Sequence, residues 1–182
     1  PDLAVAFENG KLLLTGKLGI PEAAIAMREH SGAIRRSEDV VLVGEGAAPG
    51  REPIAIDTRV TVALGDKVTV KAKGFTGRLG GQVLVEQQPK GPALGTGQIT
   101  IHDGRYKIYG VELEVHDGRI LFAHSPVDNP GVDVNLIRKT DDVTAGVKIL
   151  GTVKSPDMNL YADRPMSQTD ILAYLVTGAP LS

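Results

Sequence analysis

The chain has 182 residues, 42% of them hydrophobic, which is enough for one sizeable core and excludes global disorder. A formal net charge of −2 and an aromatic content of 4%, with no Trp, argue against the basic, stacking surface of a nucleic-acid binder. Cysteine is absent, so disulfides and thiolate chemistry are excluded, and no run approaches the roughly 18 apolar residues of a membrane-spanning helix.

The sequence opens on Pro1-Asp2, with no initiator Met and no signal peptide. It reads as a single β-rich domain over 1–182, cut from a longer protein that would carry any membrane anchor. Residues 3–7 and 11–18 predict two strands joined at Asn9-Gly10, a strong hairpin dipeptide. Ile20-Pro21 interrupts the second. Residues 23–43 mix charges with a short apolar run, and 44–53, rich in Gly, Ala and Pro, read as a flexible loop.

A clean signal starts at Ile54. Ile54, Ile56, Thr58, Val60, Val62 and Leu64 take every second position, opposite Ala55, Asp57, Arg59 and Thr61. That period of two predicts a half-buried strand. Gly65-Asp66 reads as a turn, after which Val68, Val70 and Ala72 share a face. Residues 74–81 read as irregular. Strands at 82–87 and 97–102 (with Ile99 and Ile101) flank a loop over 88–96 holding Pro89 and Pro92.

His102-Asp103-Gly104-Arg105 then recurs as His116-Asp117-Gly118-Arg119. Asp-Gly suits a tight hairpin because both central residues of a type I′ turn need positive φ. The pattern therefore predicts turn, long strand, turn. Within that strand Tyr106 and Ile108 are even, whereas Val111, Leu113 and Val115 are odd, which predicts a β-bulge at Tyr109-Gly110. Strands follow at 119–123, 132–138 (with Val132 and Val134), 143–153 (with Val147 and Ile149) and, briefly, 160–162. Ser167 and Asp170 form a capping box for a last element, a helix over 167–178. Its apolar stripe is Ile171, Leu172, Leu175 and Val176, and Gly178 ends it.

Chemical motifs are scarce. If each His-Asp repeat is a hairpin turn, ten strand residues put the two roughly 33 Å apart, too far to share a metal ion. His30 and His124 are isolated. No nucleophile elbow, phosphate-binding loop or HExxH motif is present, and Glu112 and Glu114 read as a solvated strand face. The expectation is a non-enzymatic domain with no cofactor and no metal site. Its apolar face either closes a two-sheet core or lines an open trough, and alternation alone leaves both open.

Ordered motifs carry a family resemblance. They are Gly104-Arg105-Tyr106 with Tyr109-Gly110, then Leu113, Gly118 and Leu121-Phe122. Asp128-Asn129-Pro130, Arg138, Ala145-Gly146-Val147 and Gly151 follow. Pro156, Pro165-Met166-Ser167, Leu172, Tyr174-Leu175 and Gly178 close the series. Upstream, Leu14-Thr15-Gly16, Ile20-Pro21 and Ser37-Glu38-Asp39-Val40-Val41 fit the same pattern. Residues 24–36 and 44–53 depart from it. With this pattern the chain resembles the carboxy-terminal conserved region of the TamB family of the translocation and assembly module.

The resemblance implies a long curled antiparallel or mixed sheet, taco-like, with an apolar groove and a short C-terminal helix. It also implies a periplasmic location in a Gram-negative bacterium, inner-membrane anchoring by a helix outside this sequence, and an outer-membrane barrel partner of the TamA type. Like AsmA-like and bridge-like lipid-transfer proteins, the domain would serve phospholipid transport between the two membranes. The alternative is a chaperone-like factor that pairs with amphipathic β-strands of outer-membrane clients. A carbohydrate-active or adhesive β-solenoid ranks lower, for want of a short coil repeat and exposed aromatics. On this reading the groove is lined by Ile54, Ile56, Val60, Val62, Leu64, Val68, Val70, Ile99, Ile101, Val111, Leu113, Val115, Val132, Val134, Val147 and Ile149.

Overall fold

Two-residue turns organise the chain. Asn9-Gly10, Lys73-Gly74 and Tyr109-Gly110 each place both central residues at positive φ, between 45° and 84°. Each closes a tight hairpin, pairing Glu8 with Lys11, Ala72 with Phe75, and Ile108 with Val111. The structure, a computed structural model, describes residues 1–27 and 54–181. The loop expected at 44–53 lies outside the described residues.

The strands are β1 (Asp2–Glu8), β2 (Lys11–Met27), β3 (Ala55–Ala72), β4 (Phe75–Gln87), β5 (Leu94–Ile108), β6 (Val111–Pro126), β7 (Gly131–Lys139), β8 (Thr144–Gly151) and β9 (Pro156–Ala162). They form one nine-stranded sheet in chain order. All neighbours are antiparallel except β2 and β3, which run parallel. β1 and β9 stand at the ends of that order, so the sheet is open. Among the described residues no second sheet packs on it, so they show one sheet rather than a two-sheet sandwich.

Several expected turns are bulges inside longer strands. Gly65-Asp66 lies within β3, where the pairing skips between Leu64 and Val68. His102-Asp103-Gly104-Arg105 lies within β5, and Asp103 takes φ 52° where the β4 register shifts. His116-Asp117-Gly118-Arg119 lies within β6, at its own register shift against β7. An Asp-Gly pair supplies unusual backbone geometry to a bulge as readily as to a hairpin. Conversely Tyr109-Gly110, expected as a bulge, is the hairpin turn. The parity switch has a simple origin there. Across a two-residue turn an even residue pairs with an odd one, so Tyr106 faces Leu113.

Gly110 has φ 80° and open space where a Cβ would point. Gly110→Val should therefore destabilise through backbone strain alone, by about 1 kcal/mol. Gly110→Asn should restore most of that loss in urea denaturation, because Asn tolerates the left-handed region.

The helix α1 (Gln168–Thr177) has the expected caps. The Asp170 N–H donates to Ser167 Oγ at 3.1 Å, and Ser167 Oγ donates to Asp170 Oδ2 at 2.7 Å. Gly178, at φ 82°, donates its N–H to the Tyr174 carbonyl. Ile171 and Leu175 join Val143 and Ala145 in a buried cluster flanked by Leu113, Val147, Leu160 and Ala162. The buried stripe is narrower than expected. Leu172 and Val176 are 51% and 55% exposed, and Ala173 takes the third buried position. A sheet touches only the arc of a helix that faces it, so residues one step around from Ile171 and Leu175 point away.

Candidate functional site

Cross-strand partners share a side of a sheet, so the registers define its two sides. One row runs Leu18, Val62, Val83, Gly97 and Phe122. The next runs Ile20, Leu64, Gly81, Ile99, Ile120 and Val132. A third joins Ala23, Val68, Leu79 and Ile101. On the β7–β9 flank, Val134, Ile149 and Met158 form one row, and Val115, Leu136, Val147 and Leu160 another. Glycine bulges keep the rows on one side. A Cβ at Gly118 would touch both Val115 and Ile101, which places those two side chains together.

Along this side the residues singled out by alternation differ in exposure. Val60, Val68 and Val115 are buried. Val62, Leu64, Val70, Ile99, Ile101, Val111, Leu113, Val132, Val134, Val147 and Ile149 are half-buried. Ile56 is exposed, and Ile54 is exposed just before β3 begins. A hollow of about 220 Å³ lies among Val62, Leu64, Val83, Val85, Ile99 and Phe122, with Gln82 and Val127 at its walls. Sequence reasoning missed Val83, Val85 and Phe122. Val83-Leu84-Val85 and Ile120-Leu121-Phe122 are unbroken apolar runs, so period two cannot sort their faces. Phe122 also leans along its strand over Gly95, where a Cβ would strike its ring.

The opposite side carries ion pairs across neighbouring strands. Arg105 Nη1 meets Glu112 Oε1 at 2.7 Å, and Arg78 donates two hydrogen bonds to Asp103 Oδ2, at 3.0 and 2.8 Å. Asp133 stands between Lys148 at 2.6 Å and Arg119 at 2.7 Å. The Lys148 ammonium, with Arg119 assisting, holds the Asp133 carboxyl below its ordinary range against the opposing effect of burial. A depressed carboxylate contributes stability above its unfolded pKa, about 3.9, and that contribution is lost as pH falls through the folded value. Acid unfolding followed below pH ~4 should therefore be shallower in Asp133→Asn than in the parent. An identical acid profile would show that this triad adds nothing to stability.

His102 and His116 are closer than the turn–strand–turn reading allows. Both line two shared polar hollows at the paired bulges of β5 and β6, of about 320 and 420 Å³. The 33 Å separation fails because the chain folds back at Tyr109-Gly110, midway between the repeats. Among the described residues, no three His, Asp or Glu side chains gather as metal ligands. His102 instead shares a 3.0 Å hydrogen bond with Thr100. No helix among the described residues is long and apolar enough to cross a membrane.

The family model for the TamB C-terminal domain matches the chain over residues 1–182. The chain belongs to the TamB C-terminal domain family. It is 27% identical over 199 aligned residues to the translocation and assembly module subunit TamB of Haemophilus influenzae. That alignment covers 100% of the chain but 15% of the relative. Several of the family-pattern residues have structural roles in this member of the family. Asn129 Oδ1 accepts the Lys154 N–H at 3.1 Å and Asp128 pairs with Lys154 at 3.0 Å, clasping the β6–β7 and β8–β9 loops. Gly146 lies under the Tyr161 ring, whose hydroxyl donates to Asn135 at 2.5 Å.

Proposed function

We propose that this domain acts in outer-membrane assembly by carrying phospholipid along the aliphatic side of its sheet. The observation that carries the reading is the continuity of the rows. From Leu18 to Phe122, interrupted only at Gly97, and from Val115 to Leu160, aliphatic and aromatic side chains repeat across neighbouring strands; Val83 and Val115 are buried and the others are half-exposed. An acyl chain needs a continuous dry surface and gains about 0.8 kcal/mol per buried CH₂. No polar constellation is required. The similarity to the H. influenzae translocation and assembly module subunit supports the assembly setting. In that setting the domain is periplasmic, works with a TamA-type outer-membrane barrel, and is tethered to the inner membrane elsewhere in a longer protein.

Val62 tests the reading because it lines the hollow and is only half-buried. Val62→Arg places a charge in the path of the acyl chain, while the arginine head can still reach water at an open surface. The variant should fold and should lose most of the phospholipid that native mass spectrometry detects on the parent. A folded variant with undiminished phospholipid contradicts the reading. A lipid-free parent would favour the chaperone-like alternative, in which clients pair with a strand edge.

A further inference from the structure

The aliphatic side of the sheet holds one charged side chain among its ladder-paired, described residues. That residue is Arg138 on β7, whose register runs through Ala145 of β8 to Ala162 of β9. Arg138 Nη1 donates to the Leu175 carbonyl in the last turn of α1 at 3.1 Å. Its guanidinium also fills the space beside Gly178, where a Cβ would lie 2.8 Å from Nη2. α1 has no basic residue in its own last turn, so Arg138 supplies the cation that the helix C-terminus favours. No carboxylate pairs with Arg138 among the described residues. Its hydrogen-bond partner is a neutral carbonyl, which leaves most of its donor fork unused.

We propose that Arg138 is an exchangeable anion site. It takes the phosphate of a phospholipid headgroup in place of the Leu175 carbonyl, and that exchange releases α1 from the sheet. The inference rests on the reading that acyl chains lie on this side. Three features argue for it. A phosphate offers the guanidinium charged, bidentate acceptors, stronger than one neutral carbonyl. A ten-residue helix has little stability away from its packing surface, so weakening one anchor shifts its docking. Finally, α1 sits on Leu113, Val147, Leu160 and Ala162, the continuation of the surface that acyl chains would occupy. Headgroup capture at Arg138 would thus uncover apolar surface for the attached chains.

The test follows backbone hydrogen exchange in α1 of the 182-residue chain. Dihexanoyl phosphatidylglycerol, the neutral dihexanoyl glycerol and inorganic phosphate serve as separate probes. The phospholipid should speed α1 exchange by about tenfold or more, and the neutral diacylglycerol should not. Release by inorganic phosphate alone also supports the anion site and assigns recognition to the phosphate rather than to the lipid. Arg138→Gln should show fast α1 exchange without any probe and no further response, with β3–β5 still protected. If that variant does not fold, Arg138→Lys, which keeps the charge but loses the fork, should respond to phosphatidylglycerol more weakly than the parent. Equal release by the neutral diacylglycerol, or unchanged α1 protection with phosphatidylglycerol, overturns the proposal. Failure of the acyl reading looks different: native mass spectrometry finds no phospholipid on the parent, whatever α1 does with phosphate.

Discussion

Leu175→Asp should detach α1 while the sheet stays folded, and Leu172→Asp should do almost nothing. Leu175 is 6% exposed in the cluster with Val143, Ala145 and Ile171, whereas Leu172 is 51% exposed. Replacing a buried leucine with an unpaired carboxylate loses the packing and adds a desolvation cost, together about 4 kcal/mol. A short helix at the chain's end does not transmit that whole cost to the sheet. It unfolds locally once the penalty exceeds its docking free energy. Hydrogen exchange should show α1 amides exposed in Leu175→Asp, protected in Leu172→Asp, and β3–β6 unchanged in both. Dye binding should rise only in Leu175→Asp, as Leu113, Val147 and Leu160 become uncovered. Equal effects from the two substitutions would contradict the packing described for α1.

Gly97→Val should be among the most damaging single substitutions in the sheet. Gly97 has φ 133°, which side-chain-bearing residues rarely adopt, and a Cβ there would collide with the Gln82 carbonyl oxygen of β4. The obstacle is backbone, so no rotamer change relieves it. Opening the β4–β5 spacing or flipping the local backbone should cost about 3 kcal/mol or more. Gly19 in β2 is the natural control, with no positive φ and nothing near its missing Cβ. Gly19→Ala should be neutral or stabilise by about 0.5 kcal/mol, through the reduced entropy of the unfolded chain. Urea midpoints of the two variants and the parent decide the matter. A Gly97→Val protein as stable as Gly19→Ala would mean that β4 and β5 do not approach as described.

What was legible in the sequence follows from the length scale of each signal. Asn9-Gly10 and the Ser167–Gly178 caps are local, and local chemistry places them in both sequence and structure. Alternation in β3 is equally direct because Thr, Asp and Arg separate the apolar residues. Strand length was not legible. β2, β3, β5 and β6 run for 15 to 18 residues, well beyond a common strand, so each Gly pair looks like an end. Whether Asp103-Gly104 turns or bulges depends on its neighbours: the spot where a Gly104 Cβ would sit is taken by Val115 of β6. The same dependence hid Arg138. A lone arginine after Val132, Val134 and Leu136 looks like a strand end until α1 folds back on it.

The central claim, that one side of the sheet receives acyl chains, is tested most directly by alternation in crosslinking. A photoreactive residue placed singly at 59 through 64 of β3 walks across both sides in register, since Val60, Val62 and Leu64 pair with Val85, Val83 and Gly81. Arg59, Thr61 and Ala63 pair instead with Glu86, Leu84 and Gln82. Phospholipid should crosslink at 60, 62 and 64 and fail to crosslink at 59, 61 and 63. Uniform labelling at all six positions, or labelling at the odd positions alone, would contradict the account.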